Sequence, residues 1–302
     1  MTQDDLIFKD DDVEYMKLCL EVAVYWRGSL FDHAAEVEGC YRRALTVIGD
    51  RLKFYATHEM SHAQPIDAVA LEILPRWLGR PDPTQDIFTL NLDGNSVPDL
   101  PSDTAFDFWA SQEDGAGVLR LILPLHFIQE GPARLHETAR TLAGDLMFHS
   151  GCAGYSINWD DKGETSALAR RTMGVLSKRF PAIELPDPNV TLMAIPSGLK
   201  RVNWLTFVGR ELLEQLGGTD ALIAPLAGSD IGIDHLPGGL LLTAGDRPRL
   251  GDVNRQEDLG AYRAVGHAVA PVRTRDHVGF LADQNFDVDD DLSEEWLAYF
   301  DP

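Results

Sequence analysis

Residues 16–27 alternate between two kinds of side chain, and this alternation constrains the fold more than any other feature. One set of alternate positions is entirely apolar and ends at Trp26, whereas the other set includes Lys17, Glu21 and Arg27. Because successive side chains of a β-strand point to opposite faces, a period of two predicts a long strand with one buried face. The backbone N–H and C=O groups of such a strand need partners, so the chain must build a sheet around it.

Apolar spacing and turn residues predict further helices and strands in no repeating order. We expect helices at 32–48, 65–78, 132–148, 164–180, 210–216, 256–269 and 292–299, with helix resuming at 52–57 after an interruption at Gly49. We expect strands at 87–92, 104–110, 118–123, 152–159, 202–208, 220–226 and 239–244. Hairpins and strand–helix–strand units both occur, which predicts the α+β class, with a mixed, mostly antiparallel central sheet and flanking helices.

The chain shows no strong internal boundary. A Pro-rich connector at 186–198 is short and carries apolar residues of its own. We therefore expect a single domain over residues 1–302, with an acidic N-terminal segment (1–15) and an acidic C-terminal segment (281–302).

The net charge is −22, and the two terminal segments supply more than half of it. Segment 281–302 contains eight Asp or Glu residues and no Lys or Arg. Nucleic-acid binding requires clustered Lys and Arg, so we expect no direct contact with nucleic acid. Such a charge favours a basic partner, although solubility alone explains the same composition.

Several features favour a cytoplasmic protein. The cysteines Cys19, Cys40 and Cys152 are too widely spaced for a disulfide framework or a paired-thiol metal site. Residues 1–15 are acidic and lack an apolar core, so we expect no signal peptide. No run of about 18 apolar residues occurs, which predicts that no segment spans a membrane.

Residues 58–62, HEMSH, match the H-E-x-x-H pattern of zinc hydrolases. On a helix, His58 and His62 share a face and can bind zinc, with Glu59 as the general base. Pro65 disfavours helix at His62, so an exposed helix end without metal is the simpler interpretation. A zinc-dependent hydrolase is therefore the second hypothesis. No serine-nucleophile elbow, phosphate loop or dinucleotide fingerprint occurs, so the leading expectation is no catalytic residue, metal or cofactor.

Residues 199–218 combine an apolar β-prone run, a break at Gly209, a short helical segment and the pair Gly217-Gly218. This order predicts a strand, a tight turn, a helix and a glycine stop. Such a unit suits a catalytic elbow, a phosphate cradle or a purely structural role.

The same residues resemble the signature of a bacterial family of type VI secretion immunity proteins that occur beside VRR-Nuc nuclease effectors. The likeness is carried by 201–209, Leu212, Leu213 and 216–218. A second similar region covers 239–245, Pro248 and 251–254, followed by a helix with Tyr262 and Val265. The resemblance extends from about residue 16 to about residue 275.

This resemblance implies an immunity protein and not an enzyme. It implies binding of a cognate secreted toxin, a basic nuclease effector, and occlusion of the toxin's active site or DNA-binding surface. A nuclease presents a basic surface to phosphates, so an acidic inhibitor complements it. The resemblance specifies no contact residues, and we select candidates by charge and expected exposure. They are Asp287, Asp289, Asp290, Asp291, Glu294 and Glu295, with Trp296 as an aromatic anchor.

Overall fold

An open antiparallel sheet of eleven strands runs through the residues that a computed structural model describes, namely 7–80, 84–159, 161, 163 and 165–302. The strands are β1 (Ile7–Asp10), β2 (Val13–Arg27), β3 (Phe54–Thr57), β4 (Gln64–Pro65), β5 (Ile87–Asp93), β6 (Ala105–Ser111), β7 (Ala116–Leu123), β8 (Ser150–Trp159), β9 (Leu205–Gly209), β10 (Ile231–Leu236) and β11 (Gly239–Ala244). Their spatial order is β10-β11-β9-β8-β2-β7-β6-β5-β3-β4, and β1 pairs with β2 outside this path.

Helices cover both faces of this sheet. Within the described residues they are α1 (Ala34–Ile48), α2 (Ile73–Gly79), α3 (Ala133–Ala143), α4 (Ser166–Arg179), α5 (Pro188–Ala194), α6 (Arg210–Gln215), α7 (Thr219–Ile223), α8 (Gly260–Val269) and α9 (Asp290–Leu297). Helices flanking an antiparallel sheet confirm the predicted α+β class. In these same ranges, none of the helices has the length and apolar character needed to cross a bilayer. The single domain expected over residues 1–302 stays a prediction.

The strand predicted from the alternation is confirmed as β2, near the middle of the sheet. It pairs with β8 on one side and with β7 on the other. Both of its faces are buried, however, and not one. Val22 and Trp26 belong to the main core, whereas Ala23 and Tyr25 pack with Leu192 of α5 in a smaller core on the opposite face. The expectation of one buried face is therefore wrong, because helix α5 covers the second face.

Local propensity misassigned several other segments. The helix expected at 65–78 begins only at Ile73, and Pro65 belongs to strand β4. The helix expected at 52–57 is strand β3, which pairs with β5. The strand expected at 220–226 contains helix α7, which begins directly after Gly218. The Pro-rich connector contains α5 and so covers part of the sheet. In each case tertiary pairing or packing overrides a weak local preference.

Candidate functional site

The HEMSH segment does not form a zinc site. Residues 58–62 lie in turns and bends after β3 and not on a helix, so His58 and His62 do not share a helical face. The Nε2 atom of His58 lies 2.6 Å from the side-chain nitrogen of Gln85, and its ring packs against Trp77. The ring of His62 is exposed and its Nδ1 lies 3.6 Å from a carboxylate oxygen of Asp99. No group of three metal-binding side chains occurs in the described residues.

Side chains of the acidic C-terminal segment accept hydrogen bonds from its own backbone. The Asp283 carboxylate accepts hydrogen bonds from the backbone N–H groups of Asn285 and Asp287, at 2.7 and 3.1 Å. Asp289 caps α9 by accepting the N–H of Leu292 at 2.9 Å. Side-chain oxygens that accept the free N–H groups of a first helical turn stabilise the helix, so α9 begins at a defined residue.

The side chain of Trp296 lies on the buried side of α9 and not on its exposed side. Its side chain is only 2% exposed. The guanidinium carbon of Arg201 lies 3.8 Å from its ring centroid, and the ring of Phe280 packs against its edge. This burial excludes the expected role of Trp296 as a surface anchor in the folded protein. The spacing of Leu292 and Trp296, four residues apart, was the signal that both side chains share the buried face of α9.

Arg201 makes this contact without a carboxylate partner in the described residues. Its guanidinium donates to the carbonyl oxygens of Pro181 and Ile183, at 2.5 and 3.5 Å. Burial lowers the pKa of Arg201 to about 10, although the Glu184 carboxylate opposes that shift. A cation stacked on an indole ring stabilises both groups when water is excluded, so Arg201 holds α9 against the sheet.

The six predicted acidic contact residues divide into two groups. Asp289 caps α9, the Asp290 carboxylate accepts the N–H of Gly279 at 3.0 Å, and Glu294 forms an ion pair with Arg273 at 2.6 Å. Those three therefore support the fold. The other three are exposed and form no ion pair with any described residue; they are Asp287, Asp291 and Glu295. We call the exposed side of segment 283–295 the acidic face.

Exposed apolar side chains lie within and beside this acidic face. Phe286 is 48% exposed and has a positive φ of 69°, a backbone conformation that a Phe residue rarely adopts. Val288 and Val278 are also about half exposed. Exposed apolar groups surrounded by charge are typical of interaction surfaces. Charge alone missed Phe286 and Val288, but two apolar residues within an acidic run were visible in the sequence.

A second polar feature is a row of polar and charged side chains across the neighbouring strands β5, β6 and β7. The register places Asn91 opposite Asp107, and Asp107 opposite Arg120, on three neighbouring strands. Arg120 donates to the carboxylates of Asp107 and Glu21, at 2.8 and 2.9 Å. The Asn91 amide donates to Asp107 at 2.9 Å. These groups lie on the sheet face opposite the main core.

A pocket of about 150 Å³ opens above this row. Its lining includes the acids Asp93, Asp99, Asp107 and Asp161. Burial raises the pKa of Asp93 to about 7, and the nearby Asp107 charge adds to the effect. Burial and neighbouring carboxylates both disfavour the charged form of a carboxyl group and so raise its pKa. The pocket is therefore acidic but not fully ionised near neutral pH.

Sequence comparison identifies the family of this protein. Residues 36–300 match the profile of TsiV, described as type VI immunity for VRR-NUC. The chain belongs to the TsiV family. The fold is similar to that of the Pseudomonas aeruginosa T6SS protein PA0821, with a TM-score of 0.81 and 19% sequence identity. That likeness covers 97% of this chain and 84% of the other, and at this identity it shows the fold alone. Curated proteins include no match.

TsiV membership confirms the predicted immunity family and partner class, a VRR-Nuc effector of a type VI secretion system. It gives no support to a zinc hydrolase. The residues that carried the family resemblance are structural. Trp204, Leu205 and Phe207 are buried in and beside β9, and a Cβ atom at Gly209 would clash with backbone oxygens of Phe148 and His149. This TsiV signature therefore builds the sheet.

Proposed function

We propose that this TsiV-family protein neutralises its VRR-Nuc effector by covering the effector's basic nucleic-acid-binding surface with the acidic face. Neutralisation occurs through binding alone, without catalysis by this chain and without contact between this chain and nucleic acid. The complex forms in the cytoplasm, where the effector meets its substrate. The observation that supports this proposal best is the ordered acidic face, with exposed carboxylates around exposed apolar side chains.

Charge complementarity is the first physical reason. A nuclease holds phosphates with Lys and Arg side chains, and carboxylates in an inhibitor bind the same cations. Asp291 and Glu295 lie four residues apart on α9 and so occupy neighbouring positions on one helical face. Because the backbone of the segment is already ordered in the free protein, binding costs little further backbone conformational entropy.

Apolar contact is the second reason, because charge pairs at an exposed rim contribute little affinity by themselves. Phe286 and Val288 provide exposed apolar area beside Asp287. A non-glycine residue with positive φ costs roughly 1–3 kcal/mol, so the fold maintains Phe286 on the surface at a local energetic cost. Buried aromatic contacts near the centre of an interface typically dominate its binding energy.

The test measures binding of the full chain to a catalytically inactivated VRR-Nuc effector. A triple variant, Asp287→Asn, Asp291→Asn and Glu295→Gln, should weaken binding about tenfold, since three lost charge pairs at about 0.5 kcal/mol each sum to roughly 1.5 kcal/mol. Adding Phe286→Ala should weaken binding further. The same variants should lose protection of cells that express the active effector.

A charge-matched control removes three exposed acids on other elements, with Glu113→Gln, Glu214→Gln and Asp220→Asn. It should bind and protect like the wild type. If the acidic-face variant and the control weaken binding equally, net charge and not this surface governs recognition. If neither variant changes binding, the acidic face is not the contact surface.

A further inference from the structure

The lining of the pocket above the Asn91–Asp107–Arg120 row has more acidic than basic side chains. Arg120 is the only basic side chain among the described residues that line it, and Arg120 already pairs with two carboxylates, Glu21 and Asp107. No basic side chain of the lining is left for Asp93, whereas Asp99 is half exposed and lies 3.6 Å from Nδ1 of His62. Desolvated carboxylates without a cation are unfavourable, and proteins relieve this by protonation or by binding a cation.

Two polar atoms of the row have no hydrogen-bond partner among the described residues. They are the Nε of Arg120, whose residue is 4% exposed, and the Oδ1 of Asn91. Both residues line the pocket. Buried polar atoms in native proteins are nearly always paired. The Asn91 Oδ1 can accept an N–H group of a ligand in the cavity, whereas the Nε–H of Arg120 is a donor and does not pair with a cationic ligand.

The walls of the pocket suit a flat cation. Tyr55, Trp109 and Trp159 contribute to the lining together with the carboxylates. Aromatic faces attract guanidinium and ammonium groups. A cavity of about 150 Å³ is large enough to hold a benzene-sized group, which exceeds a guanidinium head.

We propose that this pocket accepts an arginine or lysine side chain of the VRR-Nuc effector, as a second contact apart from the acidic face. The proposal rests on the proposed function, because it requires the same basic partner. The cation of the effector pairs with Asp93 and with Asp99 at the pocket mouth, and the Asn91 Oδ1 accepts one of its N–H groups. The row Asn91–Asp107–Arg120 keeps these acceptors in place.

Binding in this pocket is coupled to a proton. The groups that act on Asp93 are Asp107, Lys17 and Asp103, together with the N–H of Asn95; the other ionisable groups of the pocket lining are Asp99, Asp161 and Arg120. With its pKa raised to about 7, Asp93 is mostly protonated at pH 6 and mostly ionised at pH 8. A bound cation favours the ionised form, so affinity should rise about tenfold from pH 6 to pH 8.

The first experiment measures the dissociation constant of the full chain and the inactivated effector at pH 6, 7 and 8. Asp93→Asn keeps an acceptor for the Asn95 N–H but removes the charge. It should weaken binding about tenfold at pH 8, change binding little at pH 6, and so flatten the pH profile. Asp99→Asn should weaken binding at each pH. Asp220→Asn, on α7, is the matched control and should behave as the wild type.

The second experiment uses the full chain alone with blocked arginine, N-acetyl-arginine amide, as the probe. Millimolar probe should shift the indole N–H NMR signals of Trp109 and Trp159 in the wild type but not in Asp93→Asn. N-acetyl-citrulline amide, which is neutral, should shift neither signal.

The proposal is overturned if the wild type binds the effector but Asp93→Asn binds it equally well with the same pH profile. In that case the proposed function stands and only the pocket loses its role. Failure of the wild type to bind the effector at any pH overturns the proposed function, and with it the assignment of the pocket to that partner.

Discussion

Single ionisable residues in the middle of apolar strands form a paired cluster on the central strands of this sheet. Glu21, Asp107 and Arg120 each lie inside a strand whose neighbouring residues are mostly apolar, and all three are buried. Ser156 also donates to Glu21 at 2.8 Å. Cross-strand pairing makes burial of these charges tolerable, because each carboxylate reaches a donor that another strand supplies. Removal of one member therefore leaves the others buried without compensation.

Arg120→Met should lower the free energy of unfolding by about 3–5 kcal/mol at pH 7.5, since it leaves two buried carboxylates unpaired. Urea unfolding at pH 7.5 measures the effect.

Arg42→Met is the control for that experiment, because Arg42 also pairs with two carboxylates, Glu38 and Glu72, but at the surface. Exposed pairs contribute little, so this change should cost less than ~1 kcal/mol. Equal losses in the two variants would contradict a special role for the buried row.

Helix α9 is the element that connects the fold to the proposed contact surface. Its buried side rests on Arg201 and Phe280, and its last turn is tied to the rest of the chain by Glu294 with Arg273. Its outer side carries the carboxylates of the acidic face. The order of that face in the free protein thus depends on contacts made underneath the helix.

Trp296→Ala should remove most of the packing that holds α9, at a cost of about 3–5 kcal/mol for a fully buried Trp. Hydrogen exchange should speed up selectively at amides of 280–297, with smaller changes in β2 and β8. Phe286→Ala provides the comparison at an exposed aromatic, whose ring centroid lies 4.9 Å from the guanidinium carbon of Arg171, and should lower stability by no more than about 1 kcal/mol. Uniform acceleration across the whole sheet would show instead that α9 does not open as a separate unit.

At the scale of the molecule, the net charge of −22 creates a field that reaches a basic partner before contact. Association with the effector should therefore slow by about tenfold or more between 50 mM and 500 mM salt, while dissociation changes less. Stopped-flow mixing of the two proteins measures both rates. An association rate independent of salt would contradict electrostatic steering, although it would leave apolar recognition through Phe286 intact.

The sequence predicted features that depend on neighbours along the chain. The period of two located β2, apolar runs around a turn at Gly115 predicted the β6–β7 hairpin, and the amphipathic spacing after residue 290 predicted α9. These patterns are local, and the hydrophobic effect selects the same structure for them in many contexts. Prediction was poorest for short segments such as 52–57 and 220–226, where propensity is weak and the pairing partner decides.

The sequence predicted only part of the candidate site. Composition located the acidic segment 281–302, but Trp296 was selected as an exposed anchor although its helical spacing from Leu292 indicates a shared buried face. The sequence did not show which carboxylates of the segment are unpaired. That depends on the contacts of Glu294 with Arg273 and of Asp290 with Gly279, and both of these partners lie outside the segment.

The sequence by itself therefore determined the α+β class, the long strand β2, the acidic surplus and the family of this protein. The tertiary structure alone decided that Trp296 packs on Arg201 and that Asn91, Asp107 and Arg120 form one row. Arg120 and Glu21 are separated by 99 positions in the chain yet lie 2.9 Å apart. Strand register is a long-range property, and a shift of one residue would turn each of these charges to the opposite face of the sheet.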